Sequence, residues 1–342
     1  MASLLPEHQE LRSAINCLRW LLEYYLATGQ HAQAEAVLLA QWKLIASLDD
    51  DPFLIGQLVG VALEGLAIAS IERSLAMQEL SPRTRQLLAS ELQQHKKLNR
   101  FLWMVRSDRA LWHETFERVS AGRASWPRFV REIAYAIGPS SSGSGSNDWW
   151  DNAQKFFTER LPEQAEYGLT YVYRHRSHAR ILRICNELER AAHLPGDQLI
   201  RKWEDLLDRL TRDAEQRSGR FDIFWHILTA WNRVATAHLS RQARFDAALA
   251  GLAAEEFRLQ HGRWPADWSE LVPQFLPQVP PDPWTGRPML LRATSEGIVI
   301  YSVGHNGADD GGHPERDIVF RLYDPDKRNL PPLPEKPAGS LP

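Results

Sequence analysis

The feature that most constrains the fold is the stretch from residue 282 to residue 322, which has the composition of a small β-sheet. Runs of apolar and β-branched residues predict three short strands, at 289–291, 297–303 and 317–322. Pro283, Gly286 and Pro288 surround a tryptophan just before the first run, and such a cluster favours a rigid turn. The sequence therefore predicts a three-stranded antiparallel meander.

The connection between the last two predicted strands, 304–316, is rich in glycine and in side-chain oxygens. Calcium binds six to eight oxygens from carboxylates, amides and main-chain carbonyls, and a loop of this composition supplies them. The alternative is a long polar hairpin connection in which Asn, Asp and Gly serve only the geometry of the turns. Composition alone leaves both interpretations open.

A longer series of features surrounds this loop. A helix ends in EFRLQHGRWP at 256–265, a short helix follows at 268–272, and PDPW stands at 281–284. YSVGHNG at 301–307 and Asp317-Ile318 complete the series. In this order, from Leu239 to Phe320, the features resemble the C-terminal globular domain of the major pseudopilins of type II secretion systems. The resemblance covers about a quarter of the chain.

The resemblance implies a calcium site in the loop. It assigns Asn306 and Asp317 as side-chain ligands and the carbonyl groups of Val303 and Ala308 as main-chain ligands. This loop is longer than in the family, has Asn306 where an aspartate is usual, and has Arg316 where an acid is common. Charge would then be supplied by nearby carboxylates, for which the candidates are Asp309, Asp310 and Glu315.

The same resemblance implies a bacterial, extracytoplasmic protein, in the periplasm or on the cell surface, with protein partners. Pseudopilins begin with a membrane-inserted helix. Residues 1–8 carry neither a basic region nor an apolar run of the kind that export signals have. We therefore expect membrane attachment only through an anchor outside this sequence.

Charge and cysteine content narrow the classes of function. The 342 residues include 40 basic and 43 acidic side chains, for a formal charge of −3. This balance gives no general attraction to nucleic acid or anionic lipid. Cys17 and Cys185 each lie in a run with helical apolar spacing and outside any metal or redox motif, so both are predicted to be small core residues.

The first 261 residues have the periodicity of helices. Apolar spacing before and after Gly29 predicts a helical hairpin, and its sequence resembles one tetratricopeptide-type unit, although no repeat of that period follows. Residues 53–71 are apolar enough to span a bilayer, but Gln57 and Glu64 favour a buried core helix. Glu64 is then expected to have a hydrogen-bonding or basic partner.

Residues that commonly begin or end helices divide the rest of the chain. Ser81-Pro82 predicts a helix start, 162–193 and 196–217 predict further helices, and an apolar stripe from Phe221 to Leu252 predicts one long helix ending at Gly262. We divide the chain into a helical body (1–135), a flexible Ser/Gly loop or engineered linker (136–150), a continued helical body (151–238), the pseudopilin-like helix and β unit (239–322), and a proline-rich tail (323–342). The predicted class is α+β, mostly α.

Three functions compete at this point. The first is a non-enzymatic structural or binding protein with a calcium-binding module on a helical scaffold, and the second is a helical adaptor for protein or peptide partners. The third is a metal-dependent hydrolase, because two imidazoles and two carboxylates recur every fourth residue at His305, Asp309, His313 and Asp317. That spacing aligns ligands only on a helix, and the intervening glycines oppose one.

Overall fold

A computed structural model describes residues 4–123, 178–216 and 223–328. It confirms a mostly helical α+β fold with a small antiparallel sheet near the C-terminal end. The labelled helices are α1 Leu4–Ala27, α2 His31–Ile45, α3 Leu54–Met77, α4 Pro82–Lys97, α5 Arg100–Ser120, α6 Gly196–Gln216 and α7 Ile223–His261. Residues 178–191 are also helical. The strands are β1 Leu290–Thr294, β2 Gly297–Ser302 and β3 Ile318–Tyr323.

Local sequence signals fix several helix ends. The Ser81 hydroxyl accepts a hydrogen bond from the Thr84 backbone N–H at 3.3 Å, which caps α4 behind Pro82 as predicted. Asn99 caps α5 in the same way, with its side-chain oxygen accepting from the Leu102 N–H at 3.0 Å. Helices α4 and α5 are therefore two separate elements.

The helices form two adjoining hydrophobic cores. The first contains buried residues of α1 to α4, the C-terminal half of α7 and the sheet, with Trp42 and Phe245 near its centre. The second contains α5, the helical residues 178–191, α6 and the α7 residues from Val234 to Leu239. Helix α7 contributes to both cores. The predicted boundary between residues 238 and 239 falls inside this one continuous helix.

Helix α3 lies at the centre of the helical body. By length and composition it is apolar enough to cross a membrane, and 56% of its most apolar window is buried inside the fold. Glu64, which is fully buried, pairs with Arg100 of α5 and Arg241 of α7. The expectation that Glu64 has a basic partner in the helical body is confirmed.

The sheet has the order β1-β2-β3 and is antiparallel throughout. Every residue of β2 is buried, and Ile300 pairs with Phe320 of β3 in register. Helix α7 covers the apolar face: a Cβ atom on Gly251 would lie 2.4 Å from the Phe320 ring, so only glycine permits this approach. The β unit is thus built onto the helices.

The outer edge of β3 is closed by α3. The backbone N–H of Arg321 points away from β2 and donates a 2.9 Å hydrogen bond to the Glu72 carboxylate. Burial raises the pKa of Glu72 to about 7, although the Arg321 N–H opposes the shift. This side chain satisfies a group that an open strand edge would leave unpaired.

Two sequence predictions need correction. Cys185 is buried as predicted, but Cys17 is exposed, because the face of α1 that carries it is not covered. The proline-rich tail does not begin at residue 323: Tyr323 ends β3, a 3-10 turn follows at Pro325–Lys327, and Arg328 pairs with buried Glu255 at 2.9 Å. The predicted 136–150 linker, the first part of the predicted 162–193 helix and the tail beyond residue 328 lie outside the described residues.

Candidate functional site

The loop between β2 and β3 is shaped around Asp317, which is 4% exposed. Its Oδ2 atom accepts hydrogen bonds from the backbone N–H groups of Gly312, at 2.7 Å, and His313, at 3.1 Å. Its Oδ1 atom is buried and has no hydrogen-bond partner. Gly304 enters the loop with a φ of 68°, and a Cβ atom there would lie 2.8 Å from the Arg316 carbonyl oxygen. The loop therefore closes tightly over the Asp317 carboxylate, one oxygen of which accepts no hydrogen bond.

Asp282, which the sequence did not mark as a site residue, has a related role at the start of the β unit. It is 2% exposed, and its two oxygens accept from the N–H groups of Trp284 at 2.8 Å and Val303 at 2.9 Å. The hydrogen bond from Val303 ties Asp282 to the residue that directly follows β2. Both Asp282 oxygens are satisfied, which makes this residue a structural link between the proline-rich turn and the loop.

Asp309 is held by three donors. Its Oδ1 accepts from the Tyr301 hydroxyl and the Gly311 N–H, each at 2.9 Å, and its Oδ2 accepts from Arg292 at 2.9 Å. The Gly311 N–H and the Tyr301 hydroxyl lower the pKa of Asp309, while burial and Asp309 raise the pKa of Tyr301. This arrangement favours a role for Asp309 in anchoring the loop to β1 and β2 rather than in binding an ion.

The exposed tip of the loop has a separate polar group. The Asn306 side-chain oxygen accepts from the Ala308 N–H at 3.1 Å, and its amide donates to Asp310 at 2.6 Å. Arg316 donates to the other Asp310 oxygen at 3.1 Å. The hydrogen bond from Asn306 and the charge of Arg316 lower the pKa of Asp310. Arg316 thus neutralises charge at the position where the pseudopilin family commonly has an acid.

The predicted transition-metal set does not assemble. No three of His305, Asp309, His313 and Asp317 bring ligand atoms within 4.8 Å of one another; in the described ranges only a group elsewhere does so. His305 lies against the Trp284 ring, with centroids 5.3 Å apart, and His313 Nδ1 accepts from the Glu315 N–H. Asp309, Asp310 and Asp317 likewise do not converge as a carboxylate trio.

A second polar centre lies inside the helical body around Glu64. Arg100 donates to Glu64 at 3.0 Å, to Gln57 at 2.8 Å and to Asp49 at 2.7 Å, while Arg241 donates to both Glu64 oxygens. Burial opposes ionisation, but Arg241, His95 and Arg100 outweigh it and lower the pKa of Glu64 to about 2. Since Glu64 and both arginines are at most 2% exposed, this centre is closed to substrates and acts as a structural clamp.

A third feature is an apolar face on α1. Trp20 is 78% exposed, Tyr24 57% and Leu21 38%, and exposed Cys17 lies one turn earlier. These residues recur at helical spacing of three and four, so they share one face. Cys17 was predicted to be a core residue, and this exposed face was not predicted from the sequence.

Comparison of this chain with protein family models, with curated proteins and with solved structures gives no match. The resemblance to type II pseudopilins therefore rests on the residues quoted above and stays a prediction.

Proposed function

We propose that this protein is a non-enzymatic structural or binding protein in which calcium stabilises a pseudopilin-like β unit fixed to a helical scaffold. The observation that supports this proposal is the unpartnered, buried Oδ1 atom of Asp317. A buried carboxylate oxygen with no donor destabilises the fold, and a cation beside it offsets that cost. Its neighbouring oxygen is already fixed by two backbone N–H groups, so the carboxylate is oriented in advance.

The surroundings of Asp317 suit a hard cation better than a soft one. The resemblance adds Asn306 and the carbonyl groups of Val303 and Ala308, which are all oxygen donors. Calcium accepts irregular sets of this kind, whereas magnesium requires a compact octahedron. Asp310 is a further oxygen donor at the loop tip, and Asp309 serves as the anchor described above.

The scaffold gives the proposed ion a mechanical role. β3 begins at Ile318, directly after Asp317, and the following strand residues pack on α7 through Phe320. An ion that orders the loop would therefore stiffen the sheet and its contact with the helices. This role fits an extracytoplasmic protein with protein partners, as the type II secretion resemblance implies.

Thermal unfolding of the full chain tests the proposal. We expect calcium to raise the melting temperature above its value in chelator, and magnesium to raise it less. Binding to the native state alone stabilises by about 2.7 kcal/mol at a hundredfold excess of calcium over Kd. Asp317→Asn preserves shape and removes the charge, so it should abolish the difference, whereas the matched variant Asp309→Asn should retain it.

Identical melting curves of the unaltered chain in calcium and in chelator would contradict the proposal. So would a calcium effect that survives Asp317→Asn. A calcium effect lost equally in both variants would show that the loop responds to total charge rather than to a site at Asp317.

The second candidate is a helical adaptor, which the exposed face of α1 favours. A photoreactive maleimide on exposed Cys17 would report partners, since Cys185 is buried and its thiol pKa is raised to about 12 by burial and by Asp108. In an extract of the source cells we expect a discrete crosslinked product that Trp20→Ser with Tyr24→Ser abolishes. A product that persists in the double variant would contradict the adaptor role.

A further inference from the structure

A group of metal-ligand side chains lies in the helical body, where α5 meets the helical residues 178–191. His113 and Glu117 stand four residues apart on α5, so they project from the same face of the helix. His178 comes from the start of the neighbouring helical stretch. One ligand atom from each of these three residues lies within 4.8 Å of the others.

Packing and an ion pair hold the two helices together beside this group. Phe116 and Trp112 of α5 share a buried core with Ile181 and Cys185. Further along, Arg106 donates to Glu189 at 2.8 Å, which fixes the antiparallel alignment of the two helices. The three ligand residues therefore project from a packed helix pair rather than from loops.

The two imidazoles are already in position. His113 Nδ1 lies 3.0 Å from His178 Nε2, and the His178 ring stacks on Phe116 with centroids 4.9 Å apart and planes 14° apart. A hydrogen bond between these nitrogens needs one protonated and one unprotonated atom, so one imidazole there offers a lone pair. With Zn–N bonds of 2.0–2.1 Å, a tetrahedral zinc places two ligand nitrogens about 3.3 Å apart. The two nitrogens, now 3.0 Å apart, would need to move only slightly further apart to reach that geometry.

The third ligand is accessible as well. Glu117 and His113 are exposed and His178 is half-buried, so a hydrated ion reaches the group from solvent. The nearby cation Arg118 is engaged by Glu114 at 2.6 Å instead of by Glu117. Across the described part of the chain, no ion pair involves the Glu117 carboxylate.

We propose that His113, Glu117 and His178 bind a divalent transition metal, with zinc as the best match. Two imidazole nitrogens and one carboxylate oxygen form a ligand set typical of zinc, with a fourth position left for water. Imidazole ligands discriminate against calcium and magnesium, which prefer oxygen. The bound metal joins α5 to a helix that is 65 residues away along the chain, so it acts as a clamp within the second core.

Zinc titration of the full, chelator-treated chain by calorimetry tests this proposal. We expect one zinc per chain, a higher melting temperature with zinc, and a Co²⁺ complex with the visible spectrum of four-coordinate cobalt. His178→Phe keeps a ring on Phe116 but removes the nitrogens, so it should abolish the site without loosening the helix pair. Glu117→Gln, on the surface, should weaken zinc by at least the roughly 10- to 100-fold that outer-shell losses cost.

The matched control is His193→Gln, an exposed histidine outside the group, which should leave the zinc affinity unchanged. Circular dichroism establishes that each variant is folded. Zinc binding of equal affinity in His178→Phe and in the unaltered chain would overturn the proposal, as would a stoichiometric site lost in His193→Gln. The test is independent of the calcium experiment, because the two sites share no residue and take different ions.

Discussion

The substitution Glu64→Gln measures how much the buried charge cluster contributes to the stability of the helical body. Glu64 of α3 lies between two buried arginines, from α5 and α7, and it is the carboxylate that both share. Glutamine retains the size of the side chain but removes its charge. The variant therefore isolates the electrostatic part of the interaction from packing.

The structure gives two routes to the magnitude. The pKa of Glu64 falls from an ordinary 4.5 to about 2, and each unit corresponds to 1.36 kcal/mol, so ionisation in the folded state contributes about 3 kcal/mol. Removal of one partner from a buried ion pair costs about 3–5 kcal/mol. Arg100 keeps the carboxylate of Asp49 at 2.7 Å, but Arg241 keeps no carboxylate among the described residues and retains the carbonyl groups of His95 and Leu98 and the ring of Phe245. Most of the cost should therefore come from Arg241.

Urea unfolding at pH 7 provides the measurement. We expect Glu64→Gln to lower the free energy of unfolding by about 3–5 kcal/mol, and addition of Arg241→Met to recover much of the loss by removing the unpaired charge. Glu114→Gln, which breaks an exposed ion pair on α5 with Arg118, is the matched control and should change stability little. A loss below about 1 kcal/mol for Glu64→Gln would refute the reasoning.

The pH dependence gives a second readout of the same prediction. The folded-state pKa lies below the ordinary value, so the contribution is complete above pH 4.5 and disappears as the pH falls toward 2. The unaltered protein should lose stability across this range, and Glu64→Gln should lose less. Equal acid sensitivity of the two proteins would show that other carboxylates control acid unfolding.

Three further predictions concern the junction between helices and sheet. The pKa of Glu72 is raised to about 7, so the stability that its protonated form contributes is complete below pH 4.5 and is lost as the pH rises through 7. Glu72→Gln should therefore have a larger free energy of unfolding in urea at pH 8 than the unaltered protein. No gain at pH 8 would contradict this. Gly251→Ala should lower the free energy of unfolding in urea by about 1–3 kcal/mol, because the new methyl group would clash with the Phe320 ring. An unchanged free energy of unfolding would show that the ring moves at no cost. A fragment that begins at Pro265 lacks α7 and should be unfolded by circular dichroism, so a cooperative melting transition of the fragment would contradict the dependence of the sheet on α7.

The sequence by itself determined the elements whose causes are local. The three strands begin and end within three residues of their predicted positions, because runs of β-branched residues and glycine-proline turns act on their immediate neighbours. The Ser81 cap and the long helix, found at Ile223–His261, follow from short-range hydrogen bonding and from an unbroken apolar stripe. The need for a partner at Glu64 also followed from sequence, since an isolated buried charge is too costly.

Only the tertiary structure decided which residues meet. The partners of Glu64 lie 36 and 177 residues away, and Arg292 of β1 donates to Asp309, 17 residues further along the chain, so no local pattern identifies either pair. Cys17 was predicted to be a core residue from its apolar surroundings in sequence, but it lies on a face of α1 that is exposed. His113 and His178 become neighbours because their helices pack through Phe116 and Ile181. Periodicity specifies the faces of an element, whereas the choice of which faces meet depends on burial summed over the whole chain.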